Sequence, residues 1–129
     1  MTKDEVLNVE AGREMDALVA ERVMGWSRSR WAPIDSLLPP KDDKKRIEGH
    51  TYYVPLFSTD IAAAWEVVEE MNKTYHWRIS SPFIPGEPYF AGLTPHGVTG
   101  WNGCPDYEMP GDIVSLAICR AALLAKLEG

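Results

Sequence analysis

The chain has 129 residues, of which 45% are hydrophobic and 25% charged, and its formal net charge is −6. These values fit a single globular domain over 1–129, and they argue against disorder and against a membrane span. The acidic balance disfavours binding to DNA or RNA, because a protein that follows a phosphate backbone normally presents a basic face. Residues 1–5 do not resemble a signal peptide, so we expect reduced cysteines and a cytoplasmic location.

The first and last parts of the chain have helical patterns. Apolar residues recur every three or four positions over about 4–24, and Gly25 provides a stop. Asp112 is expected to cap a helix from Ile113 to about Leu127. The predicted buried stripes consist of Leu7, Ala11, Met15, Leu18, Val19 and Val23 in the first helix, and of Ile113, Leu116, Ala117, Ala121, Leu124 and Leu127 in the last.

A third helix is predicted directly after Phe57. Ser58 or Thr59 is expected to cap it, with Asp60 in its first turn facing the positive helix end. Its outer side carries several glutamates. Its predicted buried stripe consists of Ile61, Ala64, Trp65, Val68 and Met71.

Strand patterns are weaker. The segment 52–57 has strand composition but contains a proline, so we expect an edge strand or an extended entry to the helix. The segment 75–80 alternates as a strand does, and the short pieces 89–91 and 98–99 are candidates for a hairpin pair. Most of 27–50 and 81–111 is predicted to be irregular loop, because prolines and glycines are frequent there.

Together these elements predict an α+β domain. We expect an α-β-α layered sandwich in which a small, mainly antiparallel sheet packs with three helices.

Three segments support a family resemblance, namely 21–26, 57–69 and 116–124. On these segments the chain resembles the phage ABA sandwich domain family, which consists of small proteins of phages and integrated prophages. The resemblance implies an α-β-α sandwich and a bacterial host, in whose cytoplasm we expect the protein to be located. It implies no assigned enzyme activity and provides no catalytic residues. The segment 81–111 departs from the compact family pattern, so a ligand or partner that depends on it is expected to be particular to this protein.

The sequence contains no recognisable set of catalytic or metal-binding residues. The three histidines are scattered, neither cysteine has a metal-ligand spacing, and no P-loop or nucleophile elbow is present. Cys119 lies among apolar residues of the last helix, where a buried structural thiol is favoured over a nucleophile. We therefore predict a protein that is not an enzyme, with no catalytic residue, metal or cofactor.

The segment 92–103 suggests a ligand-binding loop. Its four glycines let backbone amides approach a ligand closely, Trp101 offers a stacking face, and Thr99 and Asn102 offer hydrogen bonds. A nucleotide would use such a mixture. The alternative is an ordinary surface loop held in place by its tryptophan.

Arg120 also needs a partner, because it lies in an otherwise apolar helix. The alternatives are an ion pair, for instance with Asp60 or Glu66, and an anionic ligand at a pocket edge. Trp65 and Trp77 fall on predicted apolar faces. The remaining tryptophans, Trp26, Trp31 and Trp101, are candidates for exposed aromatic side chains.

The first functional hypothesis is a non-enzymatic phage accessory protein that binds and sequesters a small nucleotide-type signalling ligand of host defence. The pocket would form between copies in a homo-oligomer, because one small domain has little spare concavity. Substitution of Trp101 or Arg120 is predicted to abolish binding without unfolding. The alternative is an interaction module that docks on a host or phage protein through 27–50 and 81–111. The candidate ligand-binding residues are Trp101, Arg120, Arg78, Thr99, Asn102 and Trp26.

Overall fold

The computed structural model describes residues 1–28, 36–40, 50–97 and 105–128. The described residues form a small α+β fold, as predicted, with four helices rather than three. The elements in chain order are α1 (Lys3–Asn8), α2 (Arg13–Arg22), β1 (Ser36–Leu37), β2 (Tyr52–Tyr53), α3 (Ile61–Met71), β3 (Tyr75–Ser80), β4 (Tyr89–Pro95), β5 (Tyr107–Gly111) and α4 (Val114–Glu128).

The main sheet is an antiparallel meander with the strand order β3-β4-β5. Trp77 pairs with Leu93, and Ala91 pairs with Met109. Ala91, Leu93 and Met109 are fully buried, whereas Arg78 and Glu108 are exposed. Because side chains alternate along a strand, one face of the sheet belongs to the core, and the opposite face, here called the open face, carries the exposed Arg78 and Glu108. Pro105 covers this second face at Gly92, where an added Cβ would lie 2.5 Å from the proline side chain.

Helix α4 is the centre of the molecule. It contacts β4 and β5 on the sheet and each of the other three helices. Every residue from Ser115 to Ala125 is buried, so the predicted one-sided stripe is wrong. A helix that is surrounded by other elements buries its whole circumference. Ile113 precedes the helix and is 41% exposed, although the pattern predicts it to be buried.

The predicted single helix over 4–24 is two helices, because the chain breaks between them. Val9 is extended, and Gly12 has φ 149°, a backbone conformation that favours glycine. The break frees backbone groups for tertiary hydrogen bonds. The carbonyl of Val9 accepts from Arg120, and the N–H of Gly12 donates to Ser58 Oγ at 2.9 Å. Helix α2 ends at Arg22, shortly before the predicted stop at Gly25.

Helix α3 begins differently from the prediction. Asp60 is the N-cap, because its Oδ1 accepts from the N–H of Ala62 at 3.0 Å, and Ser58 is buried and bonded elsewhere. Ile61 and Trp65 were expected in the core but are 53% and 51% exposed. The buried face of α3 consists of Ala64, Val67, Val68 and Met71. Packing against α4 therefore selects a face rotated away from Trp65.

Parts of the predicted loops are strands. The segment 52–57 contributes β2, which pairs with β1 inside the predicted loop 27–50 and confirms the short edge strand. Strand β4 extends to Pro95, and β5 lies where the proline and glycine content predicts turns. An edge strand tolerates this composition because one side of its backbone needs no partner. The predicted strand 98–99 lies outside the described residues.

Candidate functional site

The structure describes three of the six predicted ligand-binding residues. Trp26 follows α2, Arg78 lies on the open face of the sheet, and Arg120 lies inside the core on α4. These three side chains therefore belong to different parts of the molecule and do not build one site. Thr99, Trp101 and Asn102 lie outside the described residues.

Arg120 is bound by the backbone. The side chain is 7% exposed; its Nη1 donates to the carbonyl of Pro110 at 3.0 Å and its Nη2 to the carbonyl of Val9 at 3.1 Å. The predicted ion pair with Asp60 or Glu66 is not formed, and both of these side chains are exposed. The guanidinium of Arg120 thus joins the chain break after α1, at Val9, to strand β5, at Pro110. This arrangement makes Arg120 a structural clamp rather than a contact at a pocket edge.

The sequence patterns missed a buried polar cluster between α2 and α3. Asp16 Oδ1 accepts from both the N–H and the Oγ of Ser58, each at 2.7 Å, and both residues are buried. Burial raises the pKa of the Asp16 carboxyl above its ordinary value, and the hydrogen bonds from Ser58 oppose that rise. The sequence signal for this cluster is the position of Asp16 between the apolar residues Met15 and Ala17.

Cys119 is buried in α4, which agrees with the predicted structural thiol. Burial raises the pKa of this thiol far above its ordinary value, and the Asp16 carboxylate raises it further. The thiolate that a nucleophile requires is therefore strongly disfavoured at Cys119. Among the described residues, no group of three or more His, Cys, Asp or Glu side chains could hold a metal ion.

A depression beside α3, here called the Trp26 pocket, has a volume of about 430 Å³. The half-buried Trp26 contributes an aromatic side chain, and one wall carries three glutamates of α3. Lys73 Nζ lies 2.8 Å from Glu70 Oε2. The sequence patterns assign these glutamates only to a solvated helix face and give no sign of the pocket. Its lining residues are Met24, Trp26, Pro40, Pro55, Phe57, Glu66, Glu69, Glu70 and Lys73.

A second depression, the hairpin groove, lies at the turn between β3 and β4 and has a volume of about 290 Å³. It is mostly apolar, and Glu87 is its single charged side chain. Phe83 is fully exposed there and Ile84 is 64% exposed. The groove is formed by Ser80, Ser81, Pro82, Phe83, Ile84, Glu87, Pro88 and Phe90.

The open face of the sheet carries basic side chains. His76 and Arg78 alternate with the half-buried Trp77, whose indole N–H donates to the Val68 carbonyl on the core side. The rings of His76 and His96 lie 4.3 Å apart. Strand β4 ends at Pro95, one residue before His96. Trp101 follows five residues after His96 in the sequence.

The fold resembles that of known phage proteins. A phage protein from Bacillus cereus ATCC 14579, known from a 2.0 Å crystal structure, superposes with a TM-score of 0.64 at 24% identity, over 92% of this chain and 94% of that one. Likeness at this identity concerns the fold alone. No curated protein matches the chain significantly.

The chain thus belongs to the class of small α+β proteins. The model of the phage ABA sandwich domain matches residues 17–123, most of the chain. The chain belongs to the phage ABA sandwich domain family, which confirms the resemblance seen in the sequence. Within the described ranges, no helix has both the length and the apolar character required to cross a membrane.

Proposed function

We propose that this member of the phage ABA sandwich family is a non-enzymatic accessory protein that docks on another protein through the hairpin groove. The observation that supports this proposal is the full exposure of Phe83 at the turn between β3 and β4, beside Ile84. Contiguous exposed apolar surface on a globular protein is typical of a site that binds another protein.

The energetics favour a partner at this position. Covering a large apolar side chain contributes about 1.5–3 kcal/mol, so Phe83 and Ile84 provide a substantial part of the binding free energy of a modest complex. Phe90, which is 38% exposed and lines the same groove, extends this apolar surface along β4. Aromatic anchors surrounded by smaller contacts are the usual centre of a protein interface.

The chemistry of the groove supports a protein partner rather than a nucleotide. Phosphate binding requires several hydrogen-bond donors or cationic groups, whereas the residues that form this groove include one carboxylate and no cationic side chain. An apolar segment of another protein matches this lining. We place this partner in the cytoplasm of the bacterial host.

The experiment compares two double variants with the wild-type protein. Phe83→Ser with Ile84→Ser removes the apolar anchor, and Leu56→Ser with Ile61→Ser removes two similarly exposed apolar side chains elsewhere. Proteins retained from a host lysate by the immobilised wild type are identified, purified and titrated by calorimetry against all three forms. We expect about tenfold or greater loss of affinity for the hairpin variant only. Equal affinity of the hairpin variant and the wild type for every purified partner contradicts the proposal.

Sequestration of a nucleotide-type signal is the second candidate function. It is favoured by the basic side chains His76 and Arg78 on the open sheet face. His76 pairs with Thr94 near the end of β4, Arg78 pairs with Gly92 in the middle of that strand, and Thr99, Trp101 and Asn102 follow β4 in the sequence. In this case a homo-oligomer would complete the pocket.

A panel of cyclic dinucleotides and ADP-ribose-type signals, incubated with the protein and filtered, separates the candidates. A compound that is retained and released intact by heating supports sequestration, and an altered compound indicates an enzyme. Retention of no compound leaves protein docking as the better proposal. Light scattering of the same samples gives the oligomeric state.

A further inference from the structure

We infer that the Trp26 pocket accepts a cationic side chain, a lysine or an arginine, of the docked protein. This inference rests on the proposed function, because it names the chemistry of the partner. It concerns a second surface, which shares no residue with the hairpin groove.

The floor of the pocket is apolar and held in place. Phe57 is buried to 1% exposure, and Met24 and Trp26 are half-buried. The backbone N–H of Trp26 donates to the Ala20 carbonyl at 2.8 Å, which ties the tryptophan to the end of α2. Pro40 and Pro55 add rigid apolar surface. A ligand group therefore meets a preformed surface, which lowers the entropic cost of binding.

The wall of the pocket is negatively charged. Glu66, Glu69 and Glu70 lie on α3 at spacings of three and four residues, which places them on neighbouring turns of one helix side. Lys73 pairs with Glu70, and two carboxylates remain in excess in the lining. An anionic ligand would be repelled here, and a cation would be attracted.

Lysine and arginine side chains match both features. Their aliphatic stems cover apolar surface while the charged end reaches polar groups. Here the stem would lie over the floor and the cation would reach Glu66 and Glu69, with a further attraction to the face of Trp26. The volume of about 430 Å³ lies within the range of about 300–1,000 Å³ that is usual for ligand pockets.

The test measures fluorescence anisotropy with a dye-labelled Gly/Ser decapeptide that carries four arginines. The matched probe replaces each arginine with citrulline, which is nearly isosteric but neutral. The test variant Glu66→Gln with Glu69→Gln removes the charge and keeps the shape. The control variant Glu5→Gln with Glu10→Gln makes the same change of net charge at two exposed sites outside the pocket.

We expect the arginine peptide to bind wild type and control alike, and about fivefold more weakly to the test variant. Binding should weaken as salt rises, and the citrulline peptide should not bind. Equal binding of both peptides, no binding of either, or the same loss in the test and control variants would overturn the inference. If the inference fails in one of these ways, the proposed docking function is tested separately. It remains supported when a captured partner loses affinity for the Phe83→Ser, Ile84→Ser variant.

Discussion

Asp16 and Ser58 tie the start of α2 to the start of α3. Asp16 accepts two hydrogen bonds from Ser58, which is fully buried. Asp16→Ala would leave the Ser58 N–H without its acceptor and the hydroxyl with only the Gly12 carbonyl at 3.3 Å, at a cost of about 2–3 kcal/mol in the free energy of unfolding. Asp16→Asn keeps an acceptor oxygen and should cost clearly less. Urea unfolding of the three proteins measures both differences, and equal stability of Ala and Asn variants would contradict this role.

The same carboxyl gives a pH dependence with a defined sign. The pKa of Asp16 is raised in the folded protein from its ordinary value of 3.8, because burial disfavours the ionised form. Between the two pKa values the folded state binds more protons than the unfolded state, so the contribution of Asp16 to stability is full at low pH and falls as pH rises through this window. The stability of Asp16→Asn relative to wild type should therefore increase from pH 4 upward and then level off. A relative stability that is independent of pH would exclude the shift.

Arg120 was predicted to bind a ligand, but its hydrogen bonds give it a structural role. Its guanidinium holds Val9 and Pro110, which are far apart in sequence. Arg120→Met should lower the free energy of unfolding by about 2–4 kcal/mol, because two partly buried carbonyls lose their donors. Arg120→Lys should not restore it fully, since an ammonium cannot span two carbonyls as a planar fork does. Thermal unfolding measures both variants. This expectation replaces the prediction that substitution of Arg120 leaves the fold intact, and wild-type stability of Arg120→Met would reverse that conclusion.

The contact between β5 and α4 depends on a residue without a side chain. A Cβ built on Gly111 would lie 2.5 Å from the backbone nitrogen of Ala117, which no side-chain rotation can relieve. Gly111→Ala should therefore separate the strand from the helix and cost about 1–3 kcal/mol. Glu108→Ala, an exposed change on the same strand, is the control and should lie within about 0.5 kcal/mol of wild type. Similar unfolding midpoints for the two variants would contradict this close approach.

The helices differ in how much of their structure follows from local pattern. Helix α3 has a clear start and end, and its existence could be predicted from residues 57–71 alone. Its buried face could not, because Trp65 is apolar but the position of α4 decides which side is covered. The break between α1 and α2 could not be predicted either. It is stabilised by hydrogen bonds with Arg120 and Ser58, which are distant in sequence.

The described residues share one central core. Helix α4 touches the sheet and all other helices, and the buried apolar residues form a single cluster from Val6 to Ala125. We therefore expect the whole chain to unfold in one cooperative step, as predicted for a single domain. Urea curves from tryptophan fluorescence and from far-ultraviolet circular dichroism should coincide. Two separated midpoints would show that α1 and α2 unfold independently of the sheet.

The sequence by itself determined the α+β class, the family and the positions of α3, α4 and β3. The fold class and the element positions depend on residue periodicity and on local capping groups, which act over a few neighbouring residues. The family was indicated by the resemblance of the segments 21–26, 57–69 and 116–124. Tertiary structure alone decided that Arg120 is a backbone clamp, that Asp16 is buried against Ser58, and that α3 glutamates line a pocket with Trp26. Each of these arrangements joins groups from distant segments, so its free energy depends on packing that no local pattern records.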